Sequence, residues 1–330
     1  MTVISRPAMR SVAEVSAMIE DGQVLTLAGD EALLSKLPKG NWIGGSIPYF
    51  MAPAGGQISR DQIFVTELPV AAGDVSIHSY DVSQLHGLLE DAPEHGFSII
   101  IVPAGSDVHV SYARNAPNYA DMFLKPIIGW VSGVHLDDLN RVSPKVFDGQ
   151  QQRATDQHAV VLHAALPEHQ LANIGIVNLF NQGDGDVITF AETGFSTSHA
   201  MINGSPQSLS EYLNGIKADT RLPLVADYNG AMMNVSFQSV DDDDVKFYAP
   251  VFEGVEYRLA RPVADYVHDF EAAVPQLSKD VAFSCNCILN FLYSELEGKQ
   301  TGVMTGPITF GEIAYQLLNQ TLVYMVIEEY

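Results

Sequence analysis

The most informative part of the chain begins with VAFSCNCILNFL, residues 281–292, and closes with TGVMTGPITFGEIAYQLLNQTLVYMVIE, residues 301–328. Its first residues are typical of a short strand, and the apolar residues from Ile288 to Leu296 recur at helical spacing. Glycines interrupt Gly302–Ile313, where we expect a strand and a loop that lie close to another backbone. The last apolar run, Leu322–Ile327, is rich in β-branched and aromatic residues and predicts a closing strand. This part of the chain therefore predicts an α/β arrangement.

Strand-like and helix-like segments also alternate through the rest of the chain. Val75–Tyr80 predicts a strand, the residues after Asp81 a helix, and Phe97–Val102 an almost purely apolar strand. A strand, a helix and a fully apolar strand in succession indicate a crossover within a buried sheet. Asn203-Gly204 is a hairpin turn signal, and Val245–Leu259 is interpreted as a further hairpin. We therefore predict an α/β protein whose mixed sheets are flanked by helices.

Composition and charge limit the class of protein. The chain has 330 residues, of which 47% are hydrophobic and 17% charged, so it suits a globular protein of about two domains. A net charge of −23 repels nucleic acid and anionic membrane surfaces, so we expect neither as a partner. The N-terminus has no apolar core of signal-peptide length, and no apolar run is long enough to span a membrane. Both cysteines lie in one CNC triplet, so we expect a reduced, cytoplasmic protein.

Three short motifs in the C-terminal part resemble a known family. FSC at 283–285, GPITFGEI at 306–313 and LNQT at 318–321 are similar in order and spacing to the C-terminal half of the FIST sensory domain, the bacterial "F-box and intracellular signal transduction" module. PIIGWVSGV at 126–134 resembles the N-terminal segment of that domain, in which a strand ends in a turn of small residues. Trp130 stands where the family usually has a cysteine, so a role that depends on this cysteine does not transfer.

The resemblance implies a cytoplasmic sensory protein of signal transduction that binds a small molecule. It implies two related halves with a cleft between them, and clefts between domains are frequent ligand sites. An N-terminal FIST-like domain would occupy residues 75–205 and a C-terminal one residues 206–330, with residues 1–74 as an elaboration packed on the first half. No output domain is expected in the chain, so a signalling protein is the second partner that such a sensor would need.

Glu312 is the strongest polar candidate for a ligand contact. A carboxylate in an otherwise apolar strand must be solvated, paired or facing a cavity. The other predicted ligand contacts are small or polar residues near strand ends and turns: Cys285, Asn286, Gly311, Asn319, Tyr228, Asn229, Ser132 and Gly133. Each also has a structural explanation, because a buried carboxylate can cap backbone N–H groups, amides form turns, and glycines serve backbone geometry.

The CNC triplet supports an alternative, a thiol-dependent hydrolase or transferase that uses Cys285 or Cys287. A thiol at a helix N-terminus is more acidic and more nucleophilic, but a cysteine enzyme also needs a nearby base. The C-terminal part has no histidine after His268, and free cysteines commonly pack as small hydrophobic side chains. We therefore predict buried, reduced thiols and name no catalytic residue. A protein-binding partner in a signalling complex is a third alternative.

Cofactor and metal binding have no motif in the chain. Some FIST proteins are described as haem-binding sensors, but CxxCH is absent, and a lone ligand such as His95 or His199 does not differ in sequence from a surface histidine. Asp241–Asp244 lacks the spaced oxygen ligands of a calcium loop and predicts a charged surface turn. We name no metal ligand, and the cofactor, the ligand and the oligomeric state are left open.

Overall fold

The computed structural model describes residues 7–228, 230–274 and 280–330. Strands hold 42% of the residues and helices 17%, which confirms the predicted α/β class with mixed sheets. The helices are α1 Val12–Glu20, α2 Glu31–Leu34, α3 Asp107–Asn115, α4 Leu209–Gly215, α5 Tyr266–Ala273 and α6 Ile288–Tyr293. None of the helices in the described ranges combines the length and the apolar character needed to cross a membrane.

The strands have between two and eight residues each. In chain order they are β1 Ala8–Arg10, β2 Leu25–Gly29, β3 Trp42–Ser46, β4 Tyr49–Ala52, β5 Gly55–Ile58, β6 Ile63–Glu67, β7 Val75–Tyr80, β8 Gly96–Pro103, β9 Ile127–Ser132, β10 Val146–Asp148, β11 Arg153–Thr155, β12 Ala159–Ala165, β13 Gln170–Val177, β14 Ile188–Thr189, β15 Gly194–Thr197, β16 His199–Ile202, β17 Ser205–Ser208, β18 Leu224–Tyr228, β19 Ala231–Val235, β20 Phe237–Val240, β21 Val245–Val251, β22 Tyr257–Leu259, β23 Val281–Cys287, β24 Gly306–Thr309, β25 Glu312–Ala314, β26 Gln316–Leu318 and β27 Leu322–Glu329.

Three six-stranded sheets share one strand order. Sheet 1 is β1-β6-β2-β3-β10-β11, sheet 2 is β7-β12-β8-β9-β25-β26, and sheet 3 is β13-β27-β23-β24-β4-β5. In each sheet the two middle strands are parallel and every other pair is antiparallel. A helix, α2, α3 or α6, connects the two parallel strands, which is the βαβ connection that parallel pairing requires. The chain therefore contains one unit three times: repeat 1 is β1–β6, repeat 2 is β7–β12, and repeat 3 is β13 with β23–β27.

Each repeat gives a hairpin to the sheet of another repeat. The β4–β5 hairpin of repeat 1 pairs with β24 of repeat 3, and the β25–β26 hairpin of repeat 3 pairs with β9 of repeat 2. The β10–β11 hairpin of repeat 2 pairs with β3 of repeat 1 and closes the cycle. The largest cluster of buried apolar side chains accordingly contains residues of all three sheets, such as Ile43, Ile101 and Met325.

Alternation along the strands separates this shared core from the outer helices. On β8, Ile99 and Ile101 belong to the shared core, whereas Ile100 and Val102 belong to a second cluster that includes residues of α3. This division follows from the period of two in a strand, because successive side chains point to opposite faces of the sheet. Sheet 1 has a similar outer cluster with α1 and α2. In repeats 1 and 2 the helices therefore lie on the faces turned away from the shared core, whereas α6 of repeat 3 contributes Ile288 and Phe291 to it.

A glycine occupies the same place in the second parallel strand of each repeat. Gly44 lies opposite Leu27 and Gly129 opposite Ile100 of the neighbouring strand. A Cβ atom on Gly129 would lie 1.8 Å from the Ile100 carbonyl oxygen, and one on Gly306 would lie 1.9 Å from the Ser284 carbonyl oxygen. The close backbone approach that we predicted for the glycine-rich segment before Ile313 is thereby confirmed at Gly306.

An insertion separates β13 from the rest of repeat 3. It contains a six-stranded antiparallel sheet, β17-β16-β14-β22-β18-β19, and a three-stranded sheet, β15-β21-β20. Most of its buried apolar side chains form a cluster of their own, while Tyr266 and Phe270 of α5 join the shared core. The predicted hairpin at Asn203-Gly204 is confirmed, since both residues have positive φ and join β16 to β17.

Several expectations from the sequence need correction or restatement. The described residues do not show two related halves with a cleft, because the unit that they show occurs three times. Residues 8–67 of the expected N-terminal elaboration form repeat 1; the predicted division at 74/75 falls between repeats 1 and 2, and that at 205/206 falls inside β17. The predicted hairpin within Val245–Leu259 is wrong, because β21 pairs with β15 and β20, while β22 pairs with β14 and β18.

Candidate functional site

Glu312 is a polar residue at a position that is apolar in the other two repeats. It lies opposite Trp130, the residue after the repeat-2 glycine. Gly45 and Pro307 are the residues after the glycine in repeats 1 and 3. Val146 lies opposite Gly45, and Phe50 lies opposite Pro307. All three side chains at this position, Glu312, Val146 and Phe50, are 0% exposed. Glu312 is therefore a carboxyl group in the shared core, where the equivalent positions hold hydrocarbon.

Thr321 provides the main hydrogen bonds to this carboxyl group. Glu312 Oε2 accepts from the Thr321 amide at 3.2 Å and from Thr321 Oγ1 at 2.9 Å. Burial raises the pKa of Glu312 to about 8, although the bonds from Thr321 lower it. At neutral pH the carboxyl is therefore mostly protonated and neutral, which is how a buried acid avoids the desolvation cost of its charge.

The two thiols lie beside Glu312 and are buried. Cys285 and Cys287 are each 1% exposed and free, so the predicted burial is confirmed. Cys285 Sγ donates to the Gly129 carbonyl oxygen at 3.4 Å, and Cys287 is the residue that precedes α6. Burial, and then the neighbouring Glu312, raise the pKa of both thiols well above the usual range. Both are therefore protonated at neutral pH, and a thiol without its thiolate form is a poor nucleophile.

The oxygen atoms of the predicted side-chain amides accept hydrogen bonds within the protein, whereas Asn286 Nδ2 and Asn319 Nδ2 are buried with no partner among the described residues. Asn286 Oδ1 accepts from the Cys287 amide at 2.8 Å and from Asn290 Nδ2 at 3.0 Å. Asn319 Oδ1 accepts from the amide and the hydroxyl of Ser236, which belongs to the insertion. These amides therefore join the C-terminal strands to α6 and to the insertion.

Thr321 links the predicted residues of the C-terminal part. Its amide and hydroxyl donate to Glu312, and its carbonyl oxygen accepts from the Cys287 amide at 3.2 Å. Gly311 lies next to Glu312, and its carbonyl oxygen accepts from Val131. The structure thus brings Glu312, Gly311, Cys287 and Thr321 into one closed cluster, of which the sequence analysis did not select Thr321.

The remaining predicted contacts lie elsewhere. Tyr228 is 46% exposed and lines a small cavity of about 30 Å³ with Asn234 and Gln316. Ser132 is buried at the end of β9, where its carbonyl oxygen accepts from Ala104. Gly133 lines a different, larger pocket. Asn229 lies outside the described residues. The eight predicted residues that the structure describes therefore do not form one site.

The larger pocket has a volume of about 420 Å³ and lies where parallel strands end. We call it the strand-end pocket. Asp30 and Glu31 follow β2, Ser46 ends β3, and Gly133 and His135 follow β9. In α/β sheets, ligands bind at the carboxyl ends of parallel strands, since the connections there leave a crevice. Arg60 and Asp138 complete its charged lining.

One wall of the strand-end pocket is an addition to the repeat. In repeats 1 and 3 the chain needs six residues to pass from the glycine to the hairpin, from Gly44 to Phe50 and from Gly306 to Glu312. In repeat 2 the same passage, from Gly129 to Val146, takes 17 residues. The added length forms residues 133–145, which we call the 133–145 loop.

Ser46 holds both ends of this loop. Its hydroxyl donates to the Gly133 carbonyl oxygen at 2.8 Å and accepts from the Lys145 amide at 2.8 Å. Next to the first end, the Leu136 amide donates to the Tyr49 hydroxyl at 3.0 Å, and the rings of Tyr49 and His135 stack at 5.6 Å. The ends of the loop are thus fixed to repeat 1.

An ion pair holds the middle of the loop. Arg60 Nη2 donates to Asp138 Oδ2 at 2.6 Å, and Arg141 donates to the other carboxylate oxygen at 2.7 Å. The hydrogen bond from Arg60 is the main reason why the pKa of Asp138 is below its usual range. Asp30 and Glu31, by contrast, form no ion pair within the described ranges. The pocket therefore combines one paired guanidinium with two carboxylates outside these ion pairs, of which Asp30 also accepts from the Ala32 amide at 2.9 Å.

Sequence reasoning missed the charged residues of this pocket. Arg60 and Asp138 are far apart in the chain, and only the packing of repeats 1 and 2 brings them together. One sequence signal was present: the polar stretch GVHLDDLNRVSPK, residues 133–145, separates two strands by more than most connections do. Long connections of this kind often carry binding residues.

The fold and the pocket define an α/β protein of three interlocked repeats with a polar pocket between two of them. Comparison with family models places the chain in DUF6976, a family of unknown function, whose model matches residues 10–328. The chain therefore belongs to this family. A search of curated proteins found no match. In the described part of the chain, no group of three or more His, Cys, Asp or Glu side chains is arranged to hold a metal ion.

Proposed function

We propose that this protein binds a small molecule in the strand-end pocket and acts as a sensory, non-enzymatic protein. The observation that carries the proposal is the 133–145 loop, which departs from the length shared by repeats 1 and 3 and builds a wall of this pocket. A volume of about 420 Å³ is within the range of small-molecule sites, about 300–1,000 Å³. More than half of the lining residues are polar or charged, among them Asp30, Glu31 and Arg60, so the pocket suits a polar ligand that these groups orient.

The likeness to FIST sensory domains is part of this proposal. It suggests a cytoplasmic role in signal transduction, with the output supplied by another protein. From the sequence we expected the ligand between two related halves; we now propose a position between repeats 1 and 2. The 133–145 loop is the element through which a bound ligand would alter the protein surface, because the loop is part of the pocket wall and is exposed at its tip.

The cluster around Glu312 is not part of the proposed pocket. A ligand would need to enter a region in which Glu312 and both thiols are almost completely buried. If Glu312 nevertheless orients a ligand, Glu312→Gln should weaken binding by a charge-assisted hydrogen bond, about 1.5–3 kcal/mol. Our proposal expects unchanged affinity per folded molecule, measured by calorimetry on one preparation.

The alternative of a thiol-dependent enzyme has observations against it. Burial raises the pKa of both thiols, and Cys285 Sγ donates a hydrogen bond to a backbone carbonyl oxygen, that of Gly129. Cys287 does lie beside the Glu312 carboxyl group, but that group is buried with it. No contact in the described residues favours a protein-binding partner over a small-molecule ligand. We therefore carry neither alternative further.

A pocket-filling variant tests the proposal. Ala32 lines the pocket from an exposed position of α2, so Ala32→Trp should fill the pocket without disturbing the core. The probes are a panel of small amines, polyols, carboxylic acids and phosphate esters, and the measurement is the melting temperature at increasing probe concentration. We expect at least one probe to stabilise the wild type, since a ligand at 100 times its Kd adds about 2.7 kcal/mol. The same probe should leave Ala32→Trp unchanged.

The repeat architecture supplies the control. Asp107 is exposed in the first turn of α3, the helix of repeat 2 that corresponds to α2, and it does not line the pocket. Asp107→Trp adds the same side chain and should keep the response to the probe. A panel without any stabilising probe, or stabilisation that persists in Ala32→Trp, would overturn the proposal.

A further inference from the structure

The middle of the 133–145 loop has a single polar attachment to the rest of the protein. Among the hydrogen bonds and ion pairs of the described residues, only the pair between Arg60 and Asp138 joins residues 137–144 to another part of the chain. The other bonds of this segment stay within the loop: Asp138 and Val142 bond to their neighbours, and Arg141 donates to Asp137 and Asp138. The attachment at each end, through Leu136 and Lys145, lies outside this segment.

The segment also has little apolar anchoring. Leu139 is 44% exposed and Val142 is 45% exposed, and Arg141 is exposed as well. Asn140 has a φ of 63°, which marks a tight turn at the tip. Few buried apolar contacts and a solvent-exposed backbone are the features of regions that open at low free-energy cost.

We propose that residues 137–144 form a cover over the strand-end pocket and that the Arg60–Asp138 pair is its latch. This inference rests on the proposed function and adds the regulation of the same site. The latch is suited to this task because half-exposed ion pairs stabilise a contact only weakly, and salt weakens them further. Fixed ends at Ser46 and Tyr49 and a weak centre give a segment that opens without loss of the pocket floor. A ligand that engages Arg60 or Asp138 competes with the latch and shifts the cover toward its open state.

Limited proteolysis of the ligand-free protein tests the latch. Trypsin cleaves after Arg141, which lies within the cover, and mass spectrometry measures the cleavage rate at each site. Arg60→Gln removes the latch, and we expect cleavage after Arg141 to become about two- to fivefold faster, as the loss of an exposed ion pair permits. High salt should accelerate cleavage of the wild type toward the rate of the variant and leave the variant itself almost unchanged.

Matched variants separate the latch from general destabilisation. Arg221 forms an exposed ion pair with Asp219 at 2.7 Å in a different part of the chain, so Arg221→Gln should leave cleavage after Arg141 unchanged. Cleavage after the exposed Lys217 serves as an internal reference and should be equal in the wild type, Arg60→Gln and Arg60→Lys. Arg60→Lys keeps the charge and should restore most of the protection.

The results have distinct meanings for the cover and for the proposed function. Equal cleavage after Arg141 in wild type and Arg60→Gln, or equal acceleration at Lys217, would overturn the cover. The proteolysis experiment contains no ligand. Faster cleavage of Arg60→Gln after Arg141 would therefore support the cover even if the probe panel finds no ligand. Conversely, a probe that stabilises the wild type but not Ala32→Trp supports the pocket, even if Arg60→Gln is cleaved after Arg141 at the rate of the wild type.

Discussion

At the scale of single residues, Glu312 shows how one substitution sets a repeat apart. Phe50 and Val146 occupy its position in repeats 1 and 2 and add to the shared core. A carboxyl group there has the two hydrogen bonds from Thr321 and a longer one from Thr309 to offset the loss of water. The protein meets this cost by keeping the group protonated, so the consequence of Glu312 should appear in the pH dependence of stability.

The first prediction concerns that pH dependence. The pKa of Glu312 is raised from 4.5 to about 8 in the folded protein, so between these values the folded chain binds a proton that the unfolded chain does not. This stabilising contribution is complete below pH 4.5 and declines by about 1.4 kcal/mol per pH unit as the pH rises toward 8. Urea unfolding from pH 5 to pH 9 should show that Glu312→Gln lacks this decline.

The exposed Glu90 provides the control for this measurement. Glu90→Gln should retain the slope of the wild type. Parallel curves for wild type and Glu312→Gln across this range would show that the carboxyl group is not held protonated by burial.

The second prediction concerns the two thiols. Cys285 and Cys287 are each 1% exposed, and burial raises their pKa, so neither supplies a reactive thiolate in the folded state. A small disulfide reagent at neutral pH should modify them only as fast as the protein opens, and should modify both at once in urea. Ser143→Cys places a thiol on the exposed 133–145 loop as the fast reference. Native labelling of Cys285 or Cys287 at the rate of this reference would revive the thiol-dependent enzyme.

At the scale of elements, the glycine in the second parallel strand of each repeat determines how closely two strands approach. At Gly129 and Gly306 the neighbouring carbonyl oxygen occupies the place of a side chain. At Gly44 the corresponding carbonyl oxygen of Leu27 is 3.1 Å from a Cβ position, so repeat 1 has slightly more room. Glycine therefore occupies all three positions for the same reason, the close approach of the neighbouring parallel strand.

The third prediction uses this difference. Gly129→Ala places a methyl group against the backbone of β8, which cannot move aside as a side chain would, so we expect a loss of roughly 3 kcal/mol in the free energy of unfolding. Gly44→Ala should cost less. Gly73→Ala, where no atom lies within 4 Å of the added carbon, is the matched control and should be close to neutral. A Gly129→Ala protein as stable as Gly73→Ala would contradict the close approach.

Local signals in the sequence predicted local structure well. Asn203-Gly204 specified its hairpin because both residues adopt positive φ, a property of the turn itself. The segment around Gly254 carried a similar turn signal, but β21 and β22 found separate partners in the insertion. Which strands pair depends on contacts far apart in the sequence, and a turn residue does not encode them.

The candidate site shows the same limit. Polarity in an apolar run was enough to select Glu312, whose burial the structure then explains. The pocket between repeats 1 and 2 depends on Arg60 meeting Asp138, a pairing that neither local sequence contains. Gly133, selected as a small residue near a strand end, lines this pocket.

At the scale of the whole molecule, the exchanged hairpins join the three repeats through shared sheets, so we expect the repeats to unfold as one cooperative unit. Sheet 1 is incomplete without repeat 2, sheet 2 without repeat 3, and sheet 3 without repeat 1. The repeats were not visible in the sequence because the insertion divides the third one and the hairpin connections differ in length. The common strand order needs few identical residues. The three repeats are therefore alike in how their strands pair and not in their amino-acid sequence.

The fourth prediction follows from this cooperativity. Trp42 belongs to the outer cluster of sheet 1 and Trp130 to the shared core, and the chain has no other tryptophan. In Trp42→Phe and in Trp130→Phe, the remaining tryptophan reports one location. Fluorescence and circular dichroism should give the same urea midpoint within each variant. A separate fluorescence transition in either variant would mean that a repeat unfolds independently.

The exchanged hairpins also constrain how the protein is made. When a ribosome has released residues up to 165, β3 has its partner β10, but β4 and β9 still lack β24 and β25. At ordinary rates of translation, β4 waits on the order of tens of seconds for β24. During that time the nascent chain presents unpaired strand edges, which are the surfaces most prone to aggregation. Assistance from a chaperone is therefore expected on the first two repeats, until β24 and β25 emerge and close the cycle.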